Sequence, residues 1–137
     1  MFSRRFAFAA LALWLAFASL SCQQPLDLTG TVTYRGSMQL PPTSVLEVQL
    51  ADVSRADAPA VILARRTYTS LAAPPYAFTL RPDVRQLDPH GTYAVQARIL
   101  VDGKLFMVNT RRAKVDNAAP TKPIEVLLVP VPRTVGD

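Results

Sequence analysis

The sequence predicts an all-β protein, a single immunoglobulin-like (fibronectin-type) β-sandwich of about seven strands. Three observations carry that expectation. Apolar residues recur at every second position through a series of short runs, the period of a half-buried strand. Twelve prolines and five glycines separate those runs, a composition that suits short strands joined by turns and disfavours long helices. The stretch "LDPHGTYAV" spaces Leu87, Pro89 and Tyr93 like the corner of such sandwiches, where a tyrosine at a strand start turns its hydroxyl back to the backbone upstream. Half of the residues are apolar and 18% are charged, a globular composition in a chain long enough for one core.

Each strand can be justified in order. In "LTGTVTYR", Leu28, Gly30, Val32 and Tyr34 share one face. In "VLEVQLAD", Leu46, Val48 and Leu50 point inward and Glu47 and Gln49 outward. "VILARRTY" is the weak strand: Ile62 and Ala64 alternate properly, but Arg66 then falls on their face. It reads as an edge strand, where an inward-leaning charge discourages sheet-to-sheet aggregation. "YAFTL" groups Tyr76, Phe78 and Leu80, and "TYAVQARILV" groups Tyr93, Val95, Ala97, Ile99 and Val101 against Gln96 and Arg98. Asp102-Gly103 is a type I′ hairpin turn, because both central residues must take positive φ. That turn pairs Val101 with Lys104, which sets Ile99 opposite Phe106 and Ala97 opposite Val108. "IEVLLVPV" closes the fold, with Pro130 marking a strand end or an edge.

The residues exclude most chemistry. A single cysteine rules out an internal disulfide framework and a cysteine-based zinc cluster. His90, the one histidine, sits in a Pro/Gly turn without metal-ligand spacing, so no metal is expected. No nucleophile elbow, Walker loop or dinucleotide fingerprint occurs, and no catalytic residue or cofactor is expected. Asp83, Asp88 and Asp102 are explained by turn-making. The net charge of +5 includes Arg4 and Arg5 of the leader; the other basic residues are scattered and not interleaved with aromatics, which excludes nucleic acid as a partner.

Two features remain as candidates for binding. The stretch "ADVSRADAPAVI" holds Asp52, Ser54, Arg55 and Asp57, which form a tight loop of Asx and Ser turns and a possible partner-binding loop; Arg55 has either aspartate within reach as an ion-pair partner. Two arginine pairs, Arg65 with Arg66 and Arg111 with Arg112, suit anionic headgroups or a partner's carboxylates, or simply a solvated face.

The first 21 residues read as a cleaved signal. Arg4 and Arg5 form a basic n-region, residues 6–20 an apolar h-region, and small residues cluster at its end. A bilayer span needs roughly 20 apolar residues and this run is shorter. "AFA" or "SLS" suits an ordinary signal peptidase, which would leave a soluble periplasmic protein. "ASLSC" resembles the bacterial lipobox, in which cleavage falls just before a cysteine that receives lipid, although Leu20 stands one place later than usual. On that reading Cys22 is the lipidation site, residues 22–27 are a tether, 28–132 the domain and 133–137 a tail. Gln23, rather than aspartate, after the cysteine implies the outer membrane.

Taken together, "LTGTVTYRGSMQLPPTSVLEVQLADVSRADAPAVI" and "LDPHGTYAVQARILVDGKLFMVNT" resemble the YbaY/YscW lipoprotein family over about residues 28–130. The segment "RRAKVDNAAPTKP" departs from it, lacking an aromatic-proline step. The resemblance implies no catalytic residues. Its namesake branch contains type III secretion pilotins, small outer-membrane lipoproteins that bind secretin subunits and escort them; the larger branch has no settled activity. The expectation is therefore a non-enzymatic, outer-membrane-anchored periplasmic lipoprotein, held to the membrane through an N-terminal lipid and binding a secretin or another envelope protein in the manner of a pilotin. The alternative is a periplasmic glycan-binding or envelope-maintenance module, for which Tyr34, Tyr68 and Tyr76 would have to share an exposed surface.

Overall fold

The structure, a computed structural model, describes residues 25–133. The leader, Cys22 and the last four residues lie outside the described residues. Strands form where the alternation and the hairpin turn predict them, at β1 Leu28–Tyr34, β2 Ser44–Asp52, β3 Val61–Tyr68, β4 Tyr76–Leu80, β5 Tyr93–Val101, β6 Lys104–Val108 and β8 Ile124–Pro130, and a further two-residue strand, β7 Ala113–Lys114, forms where none was expected. A single 3-10 turn at Val84–Gln86 is capped by Asp83, whose carboxylate accepts from the Arg85 amide. The burial of β1 and β2 alternates strictly along most of each strand, as expected for strands with one buried face.

The strand order is β3-β2-β5-β6-β8-β1-β4, with β7 continuing along the β6 edge of β5. This corrects the expected immunoglobulin-like sandwich. Such a sandwich keeps two separate sheets, whereas here β8 is bonded on one side to β6 and on the other, in parallel, to β1. One continuous sheet therefore curls on itself. Its two end strands meet at a seam, where the Tyr68 hydroxyl of β3 accepts from the Thr79 amide of β4 at 3.1 Å. The result is a nearly closed, barrel-like shape. Closure leaves few exposed backbone edges, which sheet proteins otherwise must protect.

The interior is filled by the predicted faces: Leu28 and Val32 of β1, Leu46, Val48 and Leu50 of β2, Phe78 and Leu80 of β4, Val95 and Ile99 of β5, Val126 and Leu128 of β8. Each such side chain contributes about 1.5–3 kcal/mol by leaving water. Tyr34 and Tyr76 cap the core at one end. Their rings lie 6.4 Å apart, and their hydroxyls donate to the Met38 and Ala72 carbonyls, both at 2.9 Å. Burial first, then the neighbouring Tyr34, pushes the Tyr76 phenol well above its ordinary range.

Asp102 and Gly103 both take positive φ, +53° and +76°, as the type I′ turn requires, and Val101 pairs with Lys104. The register beyond the turn differs from expectation. A bulge between Ile99 and Leu100 sets Ile99 opposite Met107, not Phe106, and Arg98 opposite Val108, so Ala97 does not face Val108. The bulge adds one residue to β6. It drops Met107 into the core and leaves Phe106 half-buried beneath the Arg133 guanidinium, 5.6 Å from the ring centre. Strand β3 is the edge strand that its pattern suggests, with Arg66 directly across from the buried Val48.

The tyrosine corner exists although the sandwich does not. The Asp88 amide donates to the Tyr93 hydroxyl at 2.6 Å, and that hydroxyl lies 3.3 Å from the Asp88 carbonyl. Tyr93→Phe strands a half-buried amide and should cost about 1–3 kcal/mol. Urea denaturation reads this directly, and an unchanged midpoint would rule out a structural role for the corner.

Candidate functional site

The outer face of β2 and β5 carries the most developed polar site. Outward residues of the two strands meet in register: Glu47 opposite Arg98, and Gln49 opposite Gln96. Arg98 donates to the Glu47 carboxylate at 2.8 Å, and Arg65 from β3 approaches the same oxygen at 3.5 Å. Gln49 bonds Gln96 at 2.7 Å and accepts from Arg65 at 3.1 Å. The two arginines are about half exposed, so each ion pair contributes only about 0–1 kcal/mol to stability. The network orders a surface more than it stabilises a fold.

Over this floor lies a cleft of about 480 Å³. One wall is the loop of residues 53–60, with Arg55 and three alanines, and the other is the end of β6 with residues 109–112. Both walls are pinned. The Asp52 carboxylate accepts from the Ser54 amide and hydroxyl, at 2.9 and 2.5 Å, while the Ser54 hydroxyl accepts from the Thr92 amide at 2.9 Å. On the opposite wall, the Asn109 side chain accepts from the Ala97 amide at 2.9 Å and donates to the Arg111 carbonyl at 2.9 Å. It bridges the interval between β6 and β7 and fixes the segment that bears Arg111 and Arg112.

The sequence-predicted loop therefore divides. Asp52 and Ser54 are structural, Arg55 lines the cleft, and Asp57 is exposed in a turn outside the cleft lining. Arg55 makes neither of the ion pairs open to it: among the described residues no aspartate lies within salt-bridge distance of it, and the Asp52 carboxylate is bonded to Ser54. Arg111 and Arg112 line the cleft, and Arg65 joins the network through Glu47 and Gln49 without lining the cleft; Arg66 sits across from the core residue Val48 and takes part in neither. Glu47, Gln49, Gln96, Arg98 and Asn109 were not singled out as site residues. Alternation marks the first four as outward-facing, but only the β2–β5 pairing brings them together.

The Ser54 hydroxyl bond, then the Ser54 amide bond, and more weakly the Arg55 charge hold the Asp52 carboxyl below its ordinary value of 3.8, against a small opposing effect of burial. A depressed carboxyl stabilises the fold above the unfolded-state pKa, and that contribution is lost as pH falls through the lower, folded-state pKa. Ser54→Ala should therefore raise the Asp52 midpoint toward its ordinary value in an NMR titration of the carboxyl carbon. A midpoint that does not move would show that Ser54 is not its partner.

A second, apolar recess of about 240 Å³ opens at the barrel end where β1 begins, lined by Leu26, Leu28, Val84, Leu87, Val115 and Pro120 among others. Among the described residues no group of three or more acidic or histidine side chains is placed to hold a metal ion.

A small all-β domain with a pinned polar cleft is the class of protein that the fold and the site define. The family described as type III secretion system lipoprotein chaperone (YscW) matches residues 23–126, and the chain belongs to that family. It is 36% identical over 113 residues to the uncharacterized lipoprotein YbaY of Escherichia coli (strain K12), an alignment covering 82% of this chain and 58% of that protein. The chain thus spans little more than half the length of that relative. It is also similar to the structure of an alternative pilotin from the type II secretion system of Vibrio cholerae, with a TM-score of 0.74 and 35% identity, covering 80% of this chain and all of that one.

Proposed function

We propose that the protein is an outer-membrane-anchored periplasmic lipoprotein that works without catalysis, binding an envelope or secretion-system protein and escorting it as a pilotin does. Membership of the lipoprotein-chaperone family over residues 23–126 is the observation that supports this most. On this reading residues 1–21 are removed, Cys22 carries lipid, and residues 22–27 tether a domain of residues 28–132. Six tether residues reach at most roughly 20 Å, which keeps the β1 end of the barrel close to the membrane.

The glycan-binding alternative gains no support from the aromatic residues. Tyr34 and Tyr76 are buried against each other, and they do not form the exposed platform a sugar would stack on.

Deleting the gene and measuring outer-membrane protein levels tests the proposal. Loss of a secretin or another outer-membrane protein, restored by the lipidated chain, is the expected result. An unchanged outer-membrane profile would count decisively against escort.

A further inference from the structure

The charges around the β2–β5 cleft are out of balance. Glu47 is the one acidic residue in its lining, and it is already shared between Arg65 and Arg98. Arg55, Arg111 and Arg112 stand on the two walls, and among the described residues none of them has a carboxylate within salt-bridge distance. Three arginines thus line one recess without an ion-pair partner among the described residues.

We propose that this cleft binds a short acidic segment of the escorted protein, with its carboxylates held by Arg55, Arg111 and Arg112. The inference rests on the escort reading for the source of the segment; the chemistry rests on the cleft alone. Guanidinium forks match carboxylates in paired hydrogen bonds. The walls are preorganised by the Asp52–Ser54–Thr92 and Asn109 bonds, so little ordering cost falls on binding. Ala56, Ala58 and Ala94 keep the lining low, which lets a backbone approach. The Gln49–Gln96 amides on the floor add neutral hydrogen-bonding groups for it.

The floor runs along residues 94–98 of β5, about 13 Å at 3.3 Å per residue. That length suits an extended segment of about five residues bearing two or three aspartates or glutamates. The recess also favours a chain over a bilayer. A planar headgroup surface meets protruding charges, whereas these arginines line the walls of a concavity on the outer face of β2 and β5, toward the barrel end at which β1 begins.

The probe is a fluorescein-labelled peptide of alternating aspartate and serine, added to the lipidated full-length protein in non-ionic detergent and read by anisotropy. It should bind at low salt and be released as salt rises, while the lysine–serine counterpart should not bind. R111E/R112E should weaken binding about 10-fold or more, and R55E, on a surface loop, should weaken it in the same direction. R35E/R81E changes the net charge equally, away from the cleft, and should leave the affinity within about 2-fold. Three results would overturn the proposal: no binding of the acidic peptide, an equal loss in R35E/R81E, or displacement of the peptide by micellar phosphatidylglycerol more readily than by unlabelled peptide. Cells separate this from the escort reading. If R111E/R112E rescues the gene deletion as well as the native chain does, the cleft proposal fails and escort stands. If deletion changes nothing while the peptide still binds in the cleft, escort fails and the cleft chemistry stands.

Discussion

Gly30→Val is expected to abolish folding: the variant should collect in inclusion bodies and show no cooperative thermal transition. Gly30 sits mid-strand in β1, opposite Phe78 of β4 on one side and Ile124 of β8 on the other. A Cβ there would overlap the Ile124 carbonyl oxygen and lie 2.8 Å from its carbonyl carbon and 2.7 Å from Phe78 Cζ. The phenyl ring has some freedom to turn aside, but the Ile124 carbonyl belongs to the strand bonded in parallel to β1. Strand β1 is held by β4 on its other edge and has no direction in which to retreat. Overpacking a core typically costs about 1–3 kcal/mol, occasionally more, and a clash with backbone belongs at the upper end. Valine adds two methyls to that clash, against a total stability of about 5–15 kcal/mol for a domain of this kind. Gly30→Ala should survive with a clearly lowered urea midpoint. Adding Phe78→Leu should recover only part of the loss, because the carbonyl clash remains. An alanine variant as stable as the native chain would show that β1 and β8 are not paired in this register.

The same residue shows what could and could not be read in advance. The alternation Leu28, Gly30, Val32, Tyr34 marks Gly30 as inward-facing, but nothing local says that another strand's backbone presses on it. That contact arises from the parallel β1–β8 pairing between the two ends of the chain. Burial of one strand face is a local property, so Leu46, Val48 and Leu50 were legible at once. Turn chemistry is local too, and Asp102-Gly103 and the Tyr93 corner form as their sequences imply. Strand order is not local. A strand count and one corner fit both a two-sheet sandwich and a curled, nearly closed sheet, and the choice between them rests on β8 bonding to both β6 and β1. The bulge at Ile99/Leu100 escaped for a related reason. Counting outward from the turn puts Phe106 against Ile99, whereas Met107 fits the core and the Phe106 carbonyl is needed by the Val131 amide, 3.0 Å away.

The site was half legible. Arg55 and the 111–112 pair stood out as charges without an obvious use, while Glu47, Gln49, Gln96 and Arg98 looked like ordinary outward residues. Their significance lies in cross-strand register, which puts Arg98 beside Glu47 from 51 positions away in the chain. Asn109 carried no sequence signal at all. Its role as a side-chain bridge exists only because the strand that begins as β6 breaks before it resumes as β7.

Cys22→Ser is expected to move the protein from the membrane pellet to the soluble periplasmic fraction without changing its melting temperature. Under the proposed anchoring, Cys22 supplies the sulfur that receives lipid, and serine cannot replace it. Each buried methylene contributes about 0.8 kcal/mol, and a single acyl chain already gives marginal binding, so the several chains of a bacterial lipoprotein make attachment effectively permanent. Nothing in the folded domain offers a comparable hold. The apolar recess beside Leu26 is about 240 Å³, and the arginine cleft is concave. Stability should be unaffected because, among the described residues, the buried core begins at Leu28. Unchanged sedimentation with membranes would eliminate the lipid anchor. The variant also separates binding from location. Its cleft is intact, so it should still bind the acidic peptide, yet it should fail to restore outer-membrane protein levels in the deletion strain. An unrelated N-terminal membrane anchor fused to this same variant should then recover part of that function, because the role proposed for Cys22 is to decide where the barrel acts.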